Sequence, residues 1–225
     1  MVIGHGLLAK VFNQYINDSK ILIFDSEVSN SSEIKESEFE KEKELLIKTI
    51  NGNLDKKIIY FSTCAMYDSY TSENLYLTHK LRMEEIIKKN CNKFLIFRKS
   101  QIFDKSNKSQ LIGFLFYMIK NNNNFDLYDI ERNIISLKEI KLIVSNIISN
   151  NVLNNKIINI ANPNNINVIA LVNKIEKLLN KKANYKLIIK QGKFNIDISD
   201  IRSIVDDLEL FGNNYIDNLI KNSNE

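Results

Sequence analysis

Short apolar runs alternating with helical patterns of ten to eighteen residues predict an α/β fold built on a parallel sheet. Two further observations agree. Gly4-His5-Gly6 lies where the first run meets the first helix, and the runs are rich in Ile, as strands buried on both faces require.

The elements follow in order. Residues 2–3 are a brief apolar start that runs into the glycine pair, and Leu7, Leu8, Val11, Phe12 and Ile16 then fall at helical spacing. Residues 20–24 read as a strand and 29–32 as a polar turn. A charged helix is expected over 33–50, with Leu45, Leu46 and Ile50 on one side, ending at Asn51-Gly52. Residues 57–63 (KIIYFST) are a buried strand, 73–90 a helix and 94–97 a third strand. The second half continues with a helix at 109–120, a weak strand at 125–128 and a helix at 137–149. A strand at 156–160 and a helix at 168–179 follow. The tail joins a strand-like run, 187–189, to two short helical patterns. There is no internal repeat. Asn, Lys and Ile are overused throughout, so the Asn run at 121–124 carries little weight as a turn signal.

A chain of 225 residues holds one large domain, or a core with a small lobe. The net charge of +4 is spread without a basic block, which argues against a nucleic-acid partner. No apolar run approaches the roughly twenty residues of a membrane span. The first residues lack the basic start of a signal peptide, so none is expected. Cys64 and Cys91 are too few for a disulfide scaffold or a zinc site. The expected setting is reducing cytoplasm, and no metal site is expected.

Two groups of residues could carry chemistry. Gly4-His5-Gly6-Leu7-Leu8-Ala9 fits G-x-G-x-x-A between a strand and a helix. The first Gly permits the turn, the second lets backbone approach a pyrophosphate, and Ala9 allows close packing. A glycine pair can also simply make a turn. His5 either touches the pyrophosphate or is a tolerated loop residue. The second group is Ser62-Thr63 at the end of a buried strand, with Tyr76 and Lys80 four apart on one face of the next helix. A tyrosine titrates near pH 10 when free, and a neighbouring ammonium would lower that value. Thr63 could then hold a substrate oxygen while Tyr76 exchanges its proton. Taken alone, this spacing also arises by chance on helix surfaces.

Together the two groups resemble the extended branch of the short-chain dehydrogenase/reductases, the NAD-dependent epimerase/dehydratase family acting on nucleotide sugars. Ser62-Thr63-Cys64-Ala65-Met66-Tyr67 is similar to the family's S-[ST]-x-x-x-Y, and Tyr76-Leu77-Thr78-His79-Lys80 to its Y-x-x-x-K. Residues 97–103 (FRKSQIF) are similar to the strand exit R-x-x-N-v-Y. Residues 132–140 (RNIISLKEI) look like R-D-F-I-x-V-x-D-V, and 158–161 (INIA) like v-[YF]-N-[IV]-[GA]. The resemblance covers most of the chain. It implies a Rossmann-like parallel sheet with a small C-terminal substrate lobe. The dinucleotide-binding core would be 1–104 plus about 130–162, and the lobe about 105–129 and 163–225.

By the same resemblance Thr63, Tyr76 and Lys80 are the catalytic set. NAD or NADP would lie against Gly4, His5, Gly6, Leu7, Leu8, Asp25, Ser62, Tyr76 and Lys80. A nucleotide-sugar substrate would meet Thr63, Gln101, Arg98 and Arg132. The resemblance also implies a homodimer formed through the helices at 33–50 and 73–90.

The departures are informative. The family's turn is G-x-x-G-x-x-G; this one is a residue shorter and ends in Ala. One strand, 20–24, separates the turn from the Thr63 strand where the family has three, so the sheet should be narrowed by a strand–helix–strand–helix section. If 20–24 is the family's second strand, Asp25 sits where an acid binds the adenine ribose. If it is the fourth, residues 25–31 line the cofactor cleft nearer the reacting centre, and the ribose acid is missing. Family dehydratases carry Asp and Glu after the Thr; here Cys64 and Ala65 stand there, and Cys64 reads as a small buried apolar residue. The reading that follows is reduction of a 4-keto nucleotide sugar in surface-polysaccharide or other glycan-precursor synthesis. A 4-epimerase with retained NAD and a catalytically silent dinucleotide sensor are the alternatives.

Overall fold

The computed structural model describes residues 1–25, 28, 33–69, 74–104, 110–150, 153–190 and 194–223. Its first half runs β1 (Val2–Ile3), α1 (Leu7–Val11), β2 (Ile21–Phe24), α2 (Glu36–Asn51), β3 (Lys57–Thr63), α3 (Leu75–Asn90) and β4 (Phe94–Lys99). The second half adds β5 (Gln101–Phe103), α4 (Leu111–Lys120), β6 (Asn124–Asp129), β7 (Glu131–Arg132), β8 (Ile134–Ser136) and α5 (Leu137–Asn150). It ends with β9 (Lys156–Ile160), β10 (Ile166–Asn167), α6 (Val168–Leu179), β11 (Asn184–Ile189), α7 (Arg202–Asp207) and α8 (Tyr215–Ser223).

Five strands form the central sheet in the order β1-β2-β3-β4-β9. All its pairings are parallel, and Val2, Ile23, Ile59 and Leu95 stand in one row across the first four strands. β3 lies in the middle, and all seven of its residues are buried. Strand residues alternate between faces, so the sheet divides its side chains between two cores. Leu22, Phe24, Ile58, Tyr60, Phe94 and Ile96 pack with Leu46 and Ile50 of α2 and with Met83 and Ile87 of α3. Ile23, Ile59, Phe61, Leu95 and Phe97 pack on the other face with Leu8 and Phe12 and with Ile140, Ile143, Val144 and Ile147 of α5.

A separate core joins α4, α6 and α8 over the parallel pair β6–β11. Its residues include Ile112, Phe116, Leu127, Leu171, Ile175 and Ile220. The tail divides its allegiance, because Ile198, Ile201 and Val205 pack into the first core rather than this one.

β2 lies between the glycine-turn strand and the Thr63 strand, as it should if the section between the family's first and fourth strands is missing. α2 and α3 start at Glu36 and Leu75, slightly later than expected. The weak strand at 125–128 and the run at 187–189 become six-residue strands because each completes the other's hydrogen bonds. The two- and three-residue strands β5, β7, β8 and β10 exist through their partners and have no local signature. The polar turn expected at 29–32 lies outside the described residues.

Candidate active site at the carboxyl end of the sheet

The β1–α1 turn and the carboxyl ends of β2 and β3 open at one edge of the sheet, the edge at which parallel α/β sheets bind ligands. Gly4 has φ of 110°, a conformation L side chains rarely adopt, so glycine is required there. Gly6 precedes α1, and a Cβ on it would stand 2.7 Å from Asp25 Oδ2. Asp25 follows β2, and its Oδ2 accepts the Ala9 backbone N–H at 2.7 Å. The bare Cα of Gly6 therefore makes room for a carboxylate that braces the start of α1. Burial pushes the Asp25 carboxyl above its usual range, against the pull of the Ala9 N–H and of Lys99 and Lys80. Of the other turn residues, His5 is exposed, Leu7 is half-buried and the Leu8 side chain lies in the core. Leu8 thus offers the turn its backbone alone.

Thr63 ends β3 and accepts the Ala65 N–H at 3.1 Å, and its hydroxyl acts on Tyr76 by pulling the phenol down. Asn74 fixes the start of α3 by accepting the Tyr76 backbone N–H at 2.8 Å, an N-cap one residue before the helix. Tyr76 packs with Val28 and Phe39. Lys80, one turn on, holds its ammonium 5.8 Å from the centre of the Tyr76 ring and 5.3 Å from that of Tyr60.

The electrostatics correct one expectation. Lys80 Nζ donates to Glu42 Oε1 at 3.0 Å, and the other oxygen of Glu42 pairs with His79 Nε2 at 2.9 Å. These three side chains are at most 5% exposed. With its charge compensated, Lys80 does not lower the Tyr76 hydroxyl. Burial pushes that group up to about 12, and Glu42 adds to the effect.

Other expected site residues form struts. Ser62 is fully buried and donates to Glu84 Oε1 at 2.6 Å, which removes it from any cofactor surface. Arg98 grips both oxygens of Glu84, at 3.0 and 2.6 Å, and donates to the Tyr67 hydroxyl, which reaches Asn159. Its guanidinium is thus committed within the protein. Arg132 pairs with Asp68 at 3.1 Å. Gln101 is half-buried on β5, where its backbone N–H bonds Asn133. The Cys64 thiol is buried, donates to the Arg98 carbonyl and is pushed up to about 12 by that burial, as a small buried residue would be.

No family model and no curated protein matches the chain. Solved structures do. A UDP-N-acetylglucosamine 4-epimerase from Methanobrevibacter ruminantium, in complex with UDP-N-acetylmuramic acid, has a TM-score of 0.63 at 18% identity, covering 91% of this chain and 76% of that one. A dTDP-glucose 4,6-dehydratase from Bacillus anthracis, in complex with NAD, has a TM-score of 0.71 at 12% identity over 96% and 75%. A hypothetical dTDP-4-dehydrorhamnose reductase from Sulfolobus tokodaii has 0.64 at 15% over 90% and 78%.

The chain shares the fold of these nucleotide-sugar epimerase, dehydratase and reductase structures. β2 runs parallel between the glycine-turn strand and the Thr63 strand. Asp25, after its carboxyl end, accepts the Ala9 N–H. Of the residues expected to line the cleft after it, 26, 27 and 29–31 lie outside the described residues, and Val28 is buried against Tyr76.

Sequence reading missed Glu42 and Lys99. Glu42 hides in a run of Glu and Lys, although it stands three residues after Phe39 and four before Leu46, on the stripe that α2 buries. Lys99 ends β4, and burial holds its ammonium down to about 8, with Lys80 adding to the effect and Asp25 opposing it.

Proposed function

We propose that this chain reduces the carbonyl of a 4-keto nucleotide sugar, using NADH or NADPH, in the synthesis of surface-polysaccharide or other glycan precursors. The observation that carries the reading is Tyr76, buried on α3 with the Lys80 ammonium 5.8 Å from its ring, its hydroxyl pushed up by burial and by Glu42. The β1–α1 turn suits a dinucleotide: Gly4 takes a backbone conformation reserved for glycine, and residues 4–8 bring backbone close to the surface. When bound, the nicotinamide supplies the hydride. Thr63 orients the carbonyl oxygen, Tyr76 gives that oxygen its proton as negative charge develops, and Lys80 holds a fixed positive charge beneath both. The lobe formed around α4, α6 and α8 is proposed to cover the sugar nucleotide.

Epimerisation at C4 is the second reading, because several matched structures are 4-epimerases. That reaction begins by taking a proton from a hydroxyl, a task for a phenolate, and Tyr76 is buried as a phenol. The test follows NAD(P)H oxidation with a 4-keto-6-deoxy nucleotide sugar beside interconversion of gluco and galacto nucleotide sugars. Turnover in the first assay alone supports reduction, and turnover in the second alone replaces it with epimerisation. Co-purified dinucleotide with turnover in neither would make the chain a silent sensor.

Two expectations accompany this reading. Gly6→Val should weaken titrated binding of both NAD(H) and NADP(H) at least about tenfold while circular dichroism keeps the folded signature, because even the first added carbon meets Asp25. Unchanged affinity for both would take the turn out of the site. A homodimer through α2 and α3 is also proposed: the two helices pack together, and Leu45, Ile47 and Leu81 remain 37–40% exposed on them. Sedimentation at micromolar concentration should give twice the chain mass, and a monomer there would end the proposal.

A further inference from the structure

Resting on the reductase reading above, we propose that Glu42 is a positioning residue that ties down Lys80 and so keeps Tyr76 a proton donor, setting the site for reduction rather than for alcohol oxidation. Its carboxylate comes from α2, outside the Thr63–Tyr76–Lys80 set, and bridges two residues of α3: Lys80 at 3.0 Å and His79 at 2.9 Å. The side chain is 1% exposed. A buried carboxylate costs several kcal/mol of lost hydration unless it is paired, so its presence on the apolar stripe of α2 calls for a reason. A purely structural contact could be made by an apolar residue, as Phe39 and Leu46 make theirs one turn away on the same helix.

The charges around Tyr76 can be followed element by element. α2 contributes Glu42; α3 contributes His79, Lys80 and, one turn further on, Glu84. β3 contributes Tyr60 and Thr63, and Tyr60 feels Glu42, Tyr76, Glu84 and Asp25. Asp25 after β2 and Lys99 of β4 complete the set, each acting on the other and each feeling Lys80. Within it, Glu42 is the anion in hydrogen-bond contact with Lys80, and its charge adds to burial in pushing the Tyr76 hydroxyl up. In the reductive direction the carbonyl carbon gains a hydride from NAD(P)H and its oxygen gains the Tyr76 proton. The phenolate left behind is re-protonated from water. That sequence needs a phenol at the start. Oxidation needs the opposite, a phenolate at the start, which an uncompensated Lys80 would favour.

The test is Glu42→Gln, which keeps the size and an oxygen that can accept from Lys80 while removing the charge. Tyrosinate formation is followed by ultraviolet difference titration of the ligand-free protein, with Tyr76→Phe subtracted to isolate the Tyr76 signal from the chain's 9 tyrosines. The Tyr76 ionisation should move to lower pH by about one pH unit or more in Glu42→Gln. It should return toward the wild-type position in Glu42→Gln/Lys80→Met, where both charges are gone. In the reductase assay the alkaline limb of kcat should move down with it, with KM little changed. An unmoved ionisation, or a uniform loss of kcat at every pH, would reduce Glu42 to a structural contact. If Glu42→Gln does not fold, Lys80→Met alone must raise the Tyr76 ionisation, and failure to do so overturns the proposal. The titration needs no substrate, so it judges Glu42 even if no keto sugar is turned over. Reductase activity with an unmoved ionisation would sink this inference and leave the proposed function standing.

Discussion

Tyr76→Phe is expected to lower turnover roughly a hundred- to ten-thousand-fold while leaving dinucleotide affinity within a few-fold of wild type. The substitution keeps the ring, which packs against Val28 and Phe39, and removes only the hydroxyl. Hydride arrival at a carbonyl leaves an alkoxide that must be protonated at once. Because the phenol titrates near 12, wild-type reduction should be level across neutral pH and fall only on the alkaline side, as the proton is lost. Steady-state rates across pH, with fluorescence titration of the reduced dinucleotide, check both statements. Turnover of Tyr76→Phe within a few-fold of wild type in both assays would strip Thr63, Tyr76 and Lys80 of their proposed roles, and the likeness would then be one of fold alone.

The second large effect concerns stability. Arg98→Ala should cost about 3–5 kcal/mol, because it leaves the carboxylate of Glu84 buried without its cation. The Glu84 side chain is 2% exposed and that of Arg98 18%, so water cannot take over the pairing. The loss spreads, since Arg98 also holds the Tyr67 hydroxyl and Ser62 shares the same Glu84 oxygen. At a few degrees per kcal/mol for a chain of this size, the melting temperature should fall by about 10 °C. Arg98→Ala/Glu84→Leu, which removes both charges, should recover a good part of it. The family resemblance places Arg98 against the nucleotide-sugar substrate. If instead the melting temperature of Arg98→Ala held and only substrate affinity fell, that original reading would return.

The contrast between Tyr76 and Arg98 indicates how far a sequence can be read. The central strands were legible, because a strand buried on both faces is a run of Ile, Leu and Phe whatever surrounds it. The glycine turn was legible because Gly4 adopts a backbone conformation that other residues avoid. Tyr76 and Lys80 were legible because one turn of helix puts residues four apart on one face. What these side chains bond to was not. Glu42 is 38 residues from Lys80, Asp25 is 16 from Ala9, and Glu84 is 14 from Arg98.

The sequence by itself determined the alternation and the parallel sheet, which follow from periodicity and backbone preference within a few residues. The narrowing of that sheet and the grouping of Thr63, Tyr76 and Lys80 came from the family resemblance. The tertiary structure alone decided that Gly6 makes way for Asp25 and that Lys80 pairs its charge with Glu42. An ion pair or a close approach is a meeting in space. Periodicity states which face of a helix is buried, but the partner waiting there belongs to another element, and only the packed fold brings the two together.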